Sequence, residues 1–200
     1  MSYRLVRARD PAFLTFLPTC LKPRYYGAEA MSDDAKDEAE EENWILARSF
    51  KLHLHPAELR TSHNIATEGE ASSNITFQCG TLRLVCVGAT NPTALPQGVT
   101  VETIYSDLLR YLLENTRAFF ETRTPKGATV WQQLINDAEF VIAHPNAWGL
   151  KEQHLLRRAA IRAGCVSIAQ SNSHVRFVSE GEASVHYSIA HDNLAAKLKV

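Results

Sequence analysis

The sequence predicts an α/β fold, and three observations carry that prediction. Phe140-Val141-Ile142-Ala143 is a short, almost wholly apolar run that stops at His144-Pro145, as a buried strand would. From Leu150 to Ala163 the residues Leu150, Leu155, Leu156, Ala159, Ala160 and Ala163 recur at helical spacing. Lys151, Arg157, Arg158 and Arg162 lie between them, and Gly164 stands where a left-handed C-cap belongs. Val175, Phe177 and Val178 make a second short strand, and Ser179-Glu180-Gly181-Glu182 has the pattern of a capping box opening another helix. Strand, helix, strand, capped helix is a βαβα unit, so the two strands should run parallel.

The earlier chain supplies smaller elements. Leu17-Pro18-Thr19-Cys20-Leu21 and Tyr26-Gly27-Ala28-Glu29-Ala30 read as two extended pieces and a turn. Ser32 can cap a helix whose first turn carries Asp33 and Asp34, where negative charge favours the exposed amides. Ala35, Ala39, Leu46 and Phe50 keep one apolar stripe along it, and Asp37, Glu38, Glu40, Glu41 and Glu42 form a solvated face. Phe50, Leu52 and Leu54 then alternate with Lys51, His53 and His55, which predicts a strand or extended edge ended by Pro56. His53 and His55 would face the same way, but no nearby Cys or carboxylate completes a metal set, so solvent-facing histidines are expected.

Residues 67–74 are small and polar, as in a loop, and Ile75 to Phe77 and Leu82 to Val87 are strand candidates turning at Cys79-Gly80. The strongest helical signal follows Pro96-Gln97-Gly98. Val101, Ile104, Tyr105, Leu108, Leu112, Thr116 and Phe119 run along one face, with Asp107, Arg110, Glu114, Arg117 and Glu121 along the other. Residues 122–128 read as a polar loop, with a short helical turn at Val130-Trp131 before the apolar strand.

Composition narrows the class of function. A chain of 200 residues, 45% of them hydrophobic, can bury a sizeable core as one domain. A formal charge of −1 offers no basic field for nucleic acid, and no run of about twenty apolar residues exists to span a bilayer. Pro11 and Pro18 bracket the short apolar patch near the start, which is too short for a secretory leader and lacks a small-residue cleavage site. Cys20, Cys79, Cys86 and Cys165 show no Cys-x-x-Cys spacing, which fits free thiols in a reducing, cytoplasmic setting. The sequon Asn74-Ile75-Thr76 is idle in that setting.

The series His-Pro-Asn-Ala-Trp (144–148), Gln153, Ala-Ala-Ile-Arg-Ala-Gly (159–164) and Phe-Val-Ser-Glu-Gly-Glu-Ala-Ser (177–184) resembles the heat-shock protein 70-like members of the actin-like ATPase superfamily. It is particularly similar to a divergent branch of fungi and animals, in which Glu-Gly-Glu-Ala-Ser replaces the Glu-Pro-Thr-Ala-Ala of the chaperones themselves. The same series sets it apart from the small-molecule kinases of the superfamily. The resemblance extends back through the Leu-Pro-Gln-Gly-Val-Thr-Val opening of the helix at 101 and to Gly27-Ala28-Glu29-Ala30. It lapses over residues 61–97, a family-variable insertion or a mistranslated stretch.

The resemblance implies a partial actin-like ATPase (ribonuclease H-like) lobe over residues 1–200, with a mixed sheet and packed helices. A smaller subdomain at 23–97 would hold the variable insertion, and 98–200 would be the core βαβα subdomain. The family binds and hydrolyses ATP with magnesium and couples this to protein clients and co-chaperones. Two positions carry over: Pro145 matches the proline ending the family's strand, and Glu180 matches the glutamate that opens the next helix. In the family that pair couples nucleotide state to the partner domain, the glutamate reaching a magnesium-bound water. The relay arginine that follows the family's glutamine is His154 here, and the family's catalytic lysine would correspond to Arg48 or Lys51. Nothing in residues 1–22 matches the first phosphate loop, Asp-x-Gly-Thr-Thr, and the Asp-x-Gly-Gly-Gly-Thr hairpin is not reached by Val200. The nine glycines are not clustered as polyphosphate binding needs. The expectation is therefore an incomplete nucleotide-binding domain, inactive or very slow alone, that self-associates through a strand missing a neighbour. The alternative is a non-enzymatic interaction module built on the same fold.

Overall fold

A computed structural model describes residues 13–16, 23–42, 44–48, 50–56, 95 and 98–191, with the backbone alone at 13–16, 45, 46 and 48. The extended piece at 17–21, the strand candidates within 75–87, the sequon and Cys20, Cys79 and Cys86 lie outside the described residues. The architecture is mixed α/β, mostly helical, with a small parallel sheet. The chain divides into two compact units, 1–104 and 105–200.

In the first unit, β1 (Phe13–Phe16) lies between β2 (Pro23–Tyr26) and β3 (Ile45–Arg48), antiparallel to both. The β1–β2 register shifts between Thr15 and Phe16, where Arg24 of β2 is passed over in the pairing. Gly27, at φ +56, makes the turn out of β2, a conformation that costs a side-chain-bearing residue energy. A 3-10 turn at Glu29–Met31 leads into α1 (Asp33–Glu41), capped as its sequence predicts: the Ser32 hydroxyl accepts from the Ala35 amide at 3.2 Å.

Two expectations for this unit are corrected. The helix does not carry its stripe through Leu46 to Phe50. It ends at Glu41, with acidic residues and no basic ones in its last turn, against the helix dipole, and residues 45–48 pair with β1 instead. Nor is the alternating stretch after it a strand: Phe50–Leu54 is a 3-10 helix that buries Phe50, His53 and Leu54. His53 is thus in the interior rather than facing solvent, and His55 is half-buried. Over five residues an alternating pattern also places positions 50 and 54 about one helical turn apart, so either conformation can bury both.

The long helix α2 (Val101–Arg123) starts in the first unit, where the Thr100 hydroxyl accepts from the Thr103 amide at 3.1 Å, and continues into the second. Its buried face follows the predicted one at its start, where Ile104 is fully buried, and departs from it further on. Leu109 and Leu113 pack on the second unit's core, whereas Leu112 and Phe119 are 49% and 62% exposed. The expected polar loop at 122–128 is also shorter. Lys126, at φ +55, turns the chain, and α3 (Gly127–Leu134) begins at Gly127. Only glycine fits at 127, because a Cβ there would lie 2.5 Å from the Glu121 Cα. Trp131 of α3 packs on Phe120 of α2, ring centroids 5.6 Å apart.

A 3-10 turn at Ile135–Asp137 leads to the βαβα unit read from the sequence. It comprises β4 (Phe140–His144), α4 (Leu150–Ala163), a short helix α5 (Ser171–His174), β5 (Val175–Ser179) and α6 (Glu180–His191). β4 and β5 are parallel, Phe140 opposite Val175 through His144 opposite Ser179. Gly164 is left-handed at φ +83, and the Cys165 amide reaches back to the Ala160 carbonyl at 3.0 Å, closing a Schellman end. Arg110 of α2 donates to the Arg162 carbonyl at 3.1 Å, satisfying another group of that helix end.

The core of this unit comprises Ala160, Ala163, Cys165, Val166 and Val175, with Phe140, Ile142, Ile161 and Phe177 packed on it. Burial pushes the Cys165 thiol up from its ordinary range. Two further expectations fail here. β4 is covered on one face only, since Val141 is 62% exposed while Phe140 and Ile142 pack inward. Leu150, in the predicted stripe, is 85% exposed because it opens α4 before the helix reaches the core.

Candidate functional site

The parallel register sets the geometry of the predicted pair. Because His144 stands opposite Ser179, the next residue on each strand is Pro145 on one side and Glu180 on the other. The two predicted site residues therefore leave the same end of the sheet at the same level, Pro145 starting a turn and Glu180 opening α6.

The Pro145 turn is tightly held. Its carbonyl accepts from the Trp148 amide at 3.0 Å and from His144 Nδ1 at 2.8 Å. A carbonyl can only accept, so Nδ1 carries the proton and Nε2 is left to accept from the Gln153 amide at 3.0 Å. Gln153, on α4, thus fixes the ring that braces Pro145. His144 is 6% exposed and tilts over Phe177, its centroid 6.1 Å away. The Glu152 carboxylate reaches back to the Gly149 amide at 2.9 Å, starting α4 directly after the turn.

On the other strand, Ser179 acts as predicted for a helix cap, its hydroxyl accepting from the Glu182 amide at 3.1 Å. The Gly181 amide is taken by a residue from the opposite turn: Asn146 Oδ1 accepts from it at 3.0 Å. Glu180 is exposed at the start of α6. Its charge reaches Tyr105 of α2, whose phenol is pushed well above its ordinary range, first by burial and then by that carboxylate. Tyr105 meets Trp148 edge to face, centroids 6.5 Å apart. The Trp148 indole N–H is buried with no hydrogen-bond partner.

The other singled-out positions stand apart from this junction. His154 is exposed on α4, and Lys51 is exposed in the first unit. Arg48 lies on β3, its side chain outside the description. Among the described residues no three of His, Cys, Asp and Glu are grouped to hold a metal, and no helix is long and apolar enough to cross a membrane. Sequence reasoning gave no role to Asn146, His144 or Tyr105. The first two lie in the His-Pro-Asn-Ala-Trp series, but their partners are 35 residues on and nine residues on, and no local pattern announces either bond.

Chemically, the junction offers one exposed carboxylate at a helix N-terminus beside a braced proline turn. The two α6 amides nearest it already donate to Ser179 and Asn146, so they are not a cradle for phosphate. The chain matches no protein-family model, no curated protein and no solved structure.

Proposed function

We propose that the chain is part of a heat-shock protein 70-like nucleotide-binding domain, of the actin-like ATPase fold, working in the cytoplasm with ATP and magnesium. The observation that supports this reading is the register that sets Pro145 level with Glu180 at one end of a parallel pair. In this reading the pair comprises a braced turn and a carboxylate that directly follow the ends of two neighbouring strands.

The fit to magnesium is partial. Glu180 can orient a magnesium-bound water without displacing it, the role an exposed carboxylate fills. The described residues supply no phosphate cradle of their own, and positioning of the phosphates supplies most of phosphoryl-transfer catalysis. Hydrolysis by the 200-residue polypeptide alone is therefore expected to be absent or very slow. Its partners in this reading are protein clients or co-chaperones and a second copy of itself.

The test is melting of the purified chain with magnesium-ATP, alongside release of inorganic phosphate. Ligand at about a hundred times its dissociation constant adds about 2.7 kcal/mol. A rise in melting temperature that is reduced by Glu180→Gln, without turnover above background, is the expected result. Robust turnover abolished by Glu180→Gln would remove the idea of an incomplete site. No thermal shift at millimolar magnesium-ATP would leave the second reading, a non-enzymatic interaction module. That reading draws on the exposed Val141, Leu150 and Ile168 and on the α6 amides already satisfied within the chain.

A further inference from the structure

The bond between Asn146 and Gly181 joins the two halves of the junction. Asn146 directly follows Pro145, and Gly181 directly follows Glu180, so the carboxamide ties the turn after β4 to the first turn of α6. Its Oδ1 lies 3.0 Å from the Gly181 nitrogen. The fit is close as well as polar, since a Cβ on Gly181 would come within 2.9 Å of Oδ1 and 3.0 Å of Nδ2. Gly181 therefore contributes twice, as an amide donor and by lacking the carbon that would push the carboxamide aside.

We infer that Asn146 is a positioning residue, which fixes the Glu180 carboxylate relative to Pro145 and Tyr105 through the Gly181 amide. The inference deepens the nucleotide-binding reading and rests on it for the role of Glu180, but the bond and its effect on Glu180 can be measured without nucleotide. A proline at position 181 has no N–H and cannot make this bond, although the first turn of a helix tolerates it. The Glu-Gly-Glu form of the sequence thus permits a tie between turn and helix that a Glu-Pro-Thr form forbids. Ser179 holds the Glu182 amide by itself, so helix capping alone does not require Asn146.

Three variants test this: Asn146→Ala removes the acceptor, Asn146→Asp keeps one, and Gly181→Pro removes the donor. In Asn146→Ala the Gly181 amide should exchange with solvent about fivefold faster, the factor equivalent to about 1 kcal/mol of lost hydrogen bond. The Glu182 amide should be unchanged, and Asn146→Asp should restore the protection at Gly181. The readout of positioning is the Tyr105 ring, whose NMR resonances should move in Asn146→Ala in the direction that Glu180→Gln moves them. Added to Gly181→Pro, Asn146→Ala should have no further effect on that ring. An unchanged Gly181 amide in Asn146→Ala overturns the inference, and so does a Tyr105 ring that ignores Asn146→Ala or Glu180→Gln. Magnesium-ATP melting of the wild-type chain judges the nucleotide reading separately, and its failure would leave the exchange and ring results standing.

Discussion

Arg157 lies over the ring of Phe177, its guanidinium carbon 5.1 Å from the centroid, and joins α4 to β5 across the second unit. The same guanidinium donates through Nη1 to the carbonyls of Ser171 and Val175, the latter at 3.0 Å. One side chain thus ties the first residue of α5 to the first residue of β5 while covering an aromatic face. Its planar group can lie over the ring while one nitrogen makes both bonds, which a compact ammonium does not do.

Replacing Arg157 with Ala should therefore destabilise the fold by about 2 kcal/mol, combining lost charge-assisted hydrogen bonds with a lost cation–π contact. Arg157→Lys should recover less than half of that. Urea unfolding followed by circular dichroism measures both, and a variant within about 0.5 kcal/mol of wild type would show that water replaces the guanidinium without cost.

The two ends of α4 should respond in opposite ways to the same truncation. Leu156 is 2% exposed, so Leu156→Ala is expected to cost about 2–5 kcal/mol. Leu150 is 85% exposed, so Leu150→Ala should stay within about 0.5 kcal/mol of wild type. Equal losses would mean that Leu150 is covered in solution.

Alkaline solution should weaken the chain through Tyr105. Its phenol is held above the ordinary range in the folded state, by burial first and by Glu180 second. The unfolded chain loses that proton near pH 10 while the folded chain keeps it. The unfolded state then binds fewer protons, so the contribution is fully present below about pH 10 and lost as pH rises further. Between about pH 9 and 11, wild-type stability should fall faster than that of Tyr105→Phe, by up to about 1.4 kcal/mol per pH unit. Parallel slopes for the two proteins would count against it. The other five of the six tyrosines are common to both.

β4 and β5 pair only with each other among the described residues, and Val141 exposes 62% of its surface on β4. A two-stranded sheet is marginal in water, and an unprotected edge is a template for another strand. Size-exclusion chromatography with light scattering should find species larger than the 22.3 kDa monomer, reduced by Val141→Lys. A monodisperse wild-type monomer with a sharp melt would defeat this expectation.

What could be read from the residues depended on how many independent signals agreed. α4 was legible to its last residue because the helical period of Leu156, Ala159, Ala160 and Ala163 ended on a glycine suited to a left-handed turn. β5 and the Ser179 cap were legible for the same reason. α2 was legible as a helix and at its buried start, Ile104, but not in which face its middle buries, since the doublets Leu108-Leu109 and Leu112-Leu113 allow two stripes about 100° apart. Packing chose Leu109 and Leu113. At 50–54 the pattern was too short to separate period 2 from a helical turn. Of the junction, Pro145 and Glu180 were singled out through resemblance, whereas the Asn146 bond to Gly181 spans 35 residues and depends on how two strands align.

That alignment has a consequence for how the chain tolerates length changes. With His144 opposite Ser179, β4 and β5 act as two rulers read from a common zero at Phe140 and Val175. An extra residue inside β5 would carry Glu180 about 3.3 Å past Pro145 and send each following strand side chain to the other face. The Asn146 carboxamide would then meet a different amide. An extra residue in the segment 167–170, between α4 and α5, lies ahead of the strand and leaves both rulers at their marks. Insertions a few positions apart should thus differ sharply in effect, according to whether they fall before or after Val175.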